Sequence, residues 1–374
     1  MTGAAGKTLT VRELNRATLA RQHLLERATL PAVDALTELG GRQAQQAAAP
    51  YLGLWTRLAG FERGQLAEVI ADRSVVKATM MRATLHLVTA ADYLRWRTTL
   101  QPVLTAAAEG IARQRGATLD TDRLLELTRA YLADGPRTFA EITAMLEEAL
   151  PDGDVRANRY AVRTHLPLVQ VPTETRWSYP GNPAFTLAET WLGQPVEPSP
   201  DRPGLIRRYL GAFGPAALTD LQTWSGLTDL AADVEALRDE LVVFRAATGS
   251  RSRRELFDLP DSPRPGDDAP APPRYLGEFD DLLLAHATRT RVVADEHRRA
   301  VYRPGLRVAA TILVDGVVAG TWALEVIRRE ATLTVSPFAA LPRTAQRALE
   351  AEGDALVRFL EPSAKGHAVR VERP

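Results

Sequence analysis

Three short segments decide how this chain is read: Leu119–Leu132 (LDTDRLLELTRAYL), Phe139–Leu150 (FAEITAMLEEAL) and Asp154–Thr164 (DVRANRYAVRT). Each spaces its apolar residues three and four apart, the mark of an amphipathic helix. Two short runs with strand character follow, Leu168–Val171 and Arg176–Tyr179, across a polar turn. Three helices and a two-stranded ribbon make the winged form of the helix-turn-helix. In that motif the third helix enters a groove of DNA and the ribbon touches backbone.

The unit recurs on both sides. Upstream come a helix over Ala32–Leu39, a short helix over Tyr51–Leu58 and a third over Gln65–Ala71. A further helix is expected over Val75–Met81, capped by Ser74, and then a strand over Ala83–Val88. Downstream, Gly204–Ala212, Ala216–Ser225 and Leu230–Leu237 read as helices. The strands Leu241–Phe244 and Glu255–Asp258 close that unit around a Gly-Ser-Arg turn at Gly249–Arg251. Three repeats in one order are a stronger signal than any single trio.

The expected fold class is therefore α+β, mainly α: tandem winged helix-turn-helix repeats with a C-terminal β-hairpin subdomain. The expected division is 1–115, 116–192, 193–260 and 261–374. Proline-rich connections at Gly193–Pro203 and Pro260–Pro273 punctuate it. Beyond them, Arg307–Val314 and Val317–Leu324 alternate around Asp315-Gly316, a type I′ hairpin signal. Thr332–Val335 reads as a further strand and Arg343–Leu360 as an amphipathic closing helix.

The chain holds 374 residues, enough for several cores, with zero formal net charge. It has no cysteine, which excludes disulfides, thiolate metal sites and cysteine nucleophiles. No apolar run approaches the roughly 18 residues a membrane span needs. Met1–Thr10 lacks the order of a signal peptide, so a cytoplasmic protein is expected. Of 46 basic residues only Lys7, Lys77 and Lys365 are lysine. Arginine's planar fork suits phosphates and guanine edges, although codon usage in a GC-rich genome accounts for the same bias. No HExxH, Gly-rich phosphate loop or GxSxG elbow is present, and neither a metal nor a cofactor is expected.

Between the first two helices of the upstream unit lies Gly40-Gly41-Arg42-Gln43-Ala44-Gln45-Gln46. In extended backbone Gln43 and Gln45 leave one face. Two neutral amides can hold one water by donating and accepting without adding charge, which suits a substrate already cationic. A solvent-facing polar loop is the plainer alternative. Arg82, Thr84 and His86 are expected on one face of the following strand, a polar wall fit to line a site. Arg289, Arg291, Arg298 and Arg299 form the densest basic segment, ahead of the Asp315-Gly316 hairpin. Such a cluster can hold phosphates while the ribbon enters a groove.

Several stretches resemble the AlkZ/YcaQ family of winged-helix DNA glycosylases: Gly41–Gln45, Tyr51–Leu58, Arg82–Thr89, Glu278–Leu284 and Leu313–Trp322. The resemblance spans nearly the whole chain. It implies a C-shaped, clamp-like protein that holds duplex DNA on its concave side. It also implies excision of N7-alkylated purines and, in some members, unhooking of interstrand crosslinks made by bacterial genotoxins. The family's catalytic signature is Gln, an apolar residue, then Gln or Asp, so Gln43-Ala44-Gln45 fits the Gln/Gln branch tied to self-resistance in antibiotic producers. Arg42 stands where the resemblance implies an apolar residue. The reading is a monomeric, water-using enzyme without a Schiff base, since no lysine neighbours the Gln pair in sequence. A non-catalytic DNA-binding regulator and a protein that sequesters the free genotoxin are the rivals.

Overall fold

The computed structural model describes residues 7–247 and 254–374; the turn expected at Gly249–Arg251 lies outside them. The fold is mixed α/β. In the segment read first, helices Thr121–Ala133, Phe139–Ala149 and Val155–His165 form where expected, capped by Asp120, Thr138 and Asp154. Thr138 and Glu141 complete a reciprocal capping box. Leu124, Leu132, Ile142, Leu146 and Val162 fill the core between them.

Strand Leu168–Gln170 pairs antiparallel with Ala184–Leu187, not with Arg176–Tyr179. The apolar residues of that shorter run plug a neighbouring core: Trp177 packs on Tyr51 at 5.2 Å, and Tyr51 Oη meets Ser178 Oγ at 2.5 Å. The upstream unit differs similarly. Val75–Thr79, expected as a helix, is a strand paired with Leu85–Thr89. All five of its residues are buried: Val75 faces one hydrophobic core, Val76 and Ala78 another.

The two ribbons join into one six-stranded sheet through Ala78 and Val169. Its order is Arg42–Gln43, Leu85–Thr89, Val75–Thr79, Leu168–Gln170, Ala184–Leu187, Arg137–Thr138. The stretch around Gln43 is thus an edge strand. Gly41 precedes it at φ 81°, with Val88 Cγ1 only 2.7 Å from where a Cβ would stand, so no other residue fits that approach.

Downstream, helices Arg202–Phe213, Leu218–Ser225 and Ala231–Ala236 precede strands Val242–Ala246 and Glu255–Asp258, as expected. The C-terminal part is a five-stranded sheet, Arg274–Leu276, Thr311–Val314, Val317–Ile327, Glu330–Pro337 and Gly366–Val371, covered by helix Arg343–Leu360. Asp315 and Gly316 take left-handed φ of 49° and 79°, the tight two-residue turn their sequence implied. Arg307–Val308 belongs instead to a small ribbon with Tyr302–Arg303. No helix among the described residues is long and apolar enough to cross a membrane.

Candidate active site

The edge strand brings Gln43 opposite His86. Regular pairing ends there; Gln45 sits in the bend that follows. Gln43 is 6% exposed, while Gln45 is open to solvent. Their amides are nevertheless anchored to one segment. Arg82 Nη2 donates to Gln43 Oε1 at 2.8 Å, and the Leu85 backbone N–H donates to Gln45 Oε1 at 3.0 Å. Neither donor can accept, so each amide must turn its oxygen inward. Both NH₂ groups are left without a protein partner among the described residues, and each oxygen keeps a second lone pair.

Arg82, Thr84 and His86 do not share an alternating strand. Residues Met81–Ala83 form a tight 3₁₀ turn with Arg82 at φ 55°, and the strand starts at Leu85. The Thr84 hydroxyl folds back to Met81 O at 3.1 Å, whereas Arg82 and His86 both reach the Gln43 side. His86 is fully buried. Its Nδ1 meets Thr84 O at 3.0 Å, and a carbonyl only accepts, so the proton belongs on Nδ1 and Nε2 faces Arg82. Burial, reinforced by Arg82, lowers the imidazole to about 4. His86 is neutral near pH 7 and adds no positive charge to the site.

Two acids left without a role in the sequence reading brace the motif from below. Asp280 accepts from Arg57 Nη1 and Nη2 at 2.9 and 2.8 Å and from Arg42 Nη2 at 2.6 Å. Burial alone would raise this carboxyl, but Arg42 and Arg57 hold it down at about 2. Asp281 Oδ2 accepts the Gln43 backbone N–H at 3.0 Å, and its other oxygen lies 3.9 Å from Arg82. Arg42, the departure from the implied apolar residue, is consumed in this network. The signal was available: charged residues inside apolar runs (Arg57 between Leu54 and Leu58, Asp280-Asp281 before Leu282) need partners when buried. Trp224 O completes the frame by accepting from Arg82 Nη1 at 2.5 Å.

A cavity of about 450 Å³ opens beside the motif at Gln46, walled by Leu52, Trp177, Arg303, Trp322 and Leu324. The expected DNA-contact residues scatter. Arg298 and Arg299 are exposed, with Arg298 3.6 Å from Asp295. Arg289 lies over the Tyr302 ring at 3.9 Å. Arg291 is buried, donating to Thr18 Oγ1 and Pro215 O at 3.1 Å, which leaves it no face for a phosphate. The Asp315-Gly316 turn is docked on helix Val11–Arg21. Asp315 pairs with Arg12 and Arg16, and Asn15 donates to Gly316 O at 2.8 Å. The tip is fastened by these three contacts, and Asp315 spends its carboxylate on Arg12 and Arg16.

The model of the AlkZ-like DNA glycosylase family matches residues 36–359. A curated relative from Streptomyces sahachiroi, described as an interstrand DNA cross-link repair glycosylase, is 28% identical over 364 residues, covering 91% of this chain and 94% of its own. The solved structure of Streptomyces sahachiroi DNA glycosylase AlkZ superposes with a TM-score of 0.77 at 26% identity, over 98% of this chain and 100% of that one. The match takes in the glutamine motif, the Arg82 turn and the Asp280-Asp281 brace alike, and the chain belongs to the AlkZ-like DNA glycosylase family.

Proposed function

We propose that this glycosylase hydrolyses the N-glycosidic bond of N7-alkylguanine in duplex DNA, bulky genotoxin adducts and interstrand crosslinks included, and that it works as a monomer. The three helix trios with their ribbons are read as winged-helix units, 1–115, 116–192 and 193–260, curved with 261–374 into a clamp around the duplex. Gln43 and Gln45 place the attacking water, with Arg82, Thr84 and His86 lining the site. Arg289, Arg298 and Arg299 contact DNA backbone.

The observation that carries this reading is the pinning of both amide oxygens. It leaves two NH₂ donors and two free lone pairs, fixed in direction before substrate arrives, for a single water. An N7-alkylated purine is a cationic leaving group and departs with little acid help, so neutral amides suffice to place the water. Incubation with a duplex carrying N7-methylguanine, scored for abasic sites, is the test. Abasic sites are expected; bound but intact duplex would favour a regulator, and capture of free toxin without DNA binding a sequestering protein.

A further inference from the structure

Helix Val155–His165 carries Arg156, Arg159 and Arg163 at helical spacing, lining a surface groove of about 620 Å³. Arg163 is the one that turns inward: its Nε donates to Thr79 Oγ1 at 3.1 Å. Lys77 and Thr79 leave the same face of strand Val75–Thr79. Lys77 is 6% exposed, with Nζ 5.0 Å from the Tyr179 ring. Arg163 bears on Lys77; on Arg163 the Tyr160 hydroxyl bears first and Arg159 second, and the acid of the groove, Asp154, is paired with Arg115 at 2.6 Å. Burial, then Arg163, lower the Lys77 ammonium to about 8. Several buried arginines of this chain are answered by acids, Arg42 and Arg57 by Asp280 and Arg21 by Asp258, and Arg97 is answered by Gln101 and the Thr164 carbonyl; Lys77 has neither kind of acceptor among the described residues. Adjoining buried cations without a counter-charge weaken a fold, and an arriving anion removes that penalty. Thr79 pairs with Leu85, the residue whose N–H holds Gln45. The cationic cluster therefore lies one strand away from the glutamine motif, across Leu85–Thr89, the strand on which Gln45 is anchored.

We propose that Lys77, Thr79 and Arg163 bind one phosphodiester of the lesion-bearing strand next to Gln45, with Arg156 and Arg159 following the same backbone outward along the groove. The identity of the strand rests on the glycosylase reading; the anion site does not.

The test compares full-length Lys77→Met with the wild type. Unfolding is followed without DNA, and binding to an N7-methylguanine duplex is followed across salt concentrations. The variant should unfold at the same or a higher temperature, because a buried unpaired cation is gone. It should bind about tenfold more weakly at low salt, with a log–log salt slope smaller by about one. In duplexes with a single methylphosphonate near the lesion, wild type should lose affinity at one position and Lys77→Met should lose none further there. Wild-type affinity and slope in the variant would overturn the proposal. So would a methylphosphonate pattern identical in both proteins. Inorganic phosphate that raises the wild-type midpoint alone, with DNA binding equal in the two, would assign the site to a free anion and reject the strand. Failure of the glycosylase reading is distinguishable, for then wild type releases no base while the binding comparison still stands.

Discussion

Asp280 does more for the motif than its distance in sequence implies. One carboxylate answers Arg42 and Arg57 together, and all three side chains are out of solvent. Removing one partner of a buried ion pair leaves the other charges uncompensated, which costs about 3–5 kcal/mol. Asp280→Asn should lose stability of that order in urea unfolding; a loss under about 1 kcal/mol, within the range of an exposed pair, would show the network to be dispensable. The histidines set a separate dependence on pH. Burial lowers His86 to about 4, and burial with Arg291 lowers His286 to about 3. Below their unfolded value of 6.5 the unfolded chain binds the extra protons, so stability is complete above about pH 6.5 and falls as pH drops toward 4 and 3. Asp280 acts later, its contribution lost only below 3.8 toward 2. Thermal unfolding from pH 7 to 4 should show the first loss, and His86→Asn with His286→Asn should flatten it; an unchanged slope would contradict the neutral buried imidazoles.

At the scale of elements, the two candidate DNA-contact regions divide. The Asp315-Gly316 turn is a fastener: Arg16 is fully buried, and Asp315 is its carboxylate partner. Asp315→Ala should therefore cost about 1–3 kcal/mol of stability and leave the salt dependence of DNA binding as it was. Arg298→Ala with Arg299→Ala should do the reverse, flattening the salt slope without lowering the unfolding midpoint. Equal effects of the two changes in both assays would reject the division. The hairpin itself was legible, since Asp-Gly dictates its turn chemistry whatever the turn packs on. Its docking was not, because nothing local to Asp315 names Arg12 and Arg16. Val75–Thr79 was misread because a strand buried on both faces loses the alternation that marks a strand, and Ser74 before it resembles a helix cap. Arg176–Tyr179 failed oppositely: alternation was present, but Trp177 and Tyr179 spend it on the core around Tyr51.

Across the whole molecule, the candidate site is assembled from segments far apart in the chain. Gln43 and Asp281 are 238 residues apart, and Arg82 and Trp224 142. The glutamines, the helix trios and most strands could be read from local pattern, since propensity, capping and turn chemistry act within a few residues. The brace could not, because which acid meets which arginine is decided by how the first, third and C-terminal parts close on one another. That closure holds Arg82, which turns the Gln43 oxygen inward, while the Leu85 N–H holds the Gln45 oxygen from within the first part; on these contacts the catalytic account stands. The most direct measurement is single-turnover base release from an N7-methylguanine duplex by wild type and by Gln43→Ala with Gln45→Ala, with affinity for the same duplex taken in parallel. Release by wild type, and its loss in the double variant at affinity within a few fold, is the expected result; release by the double variant at the wild-type rate would contradict the assignment of the water to these two amides.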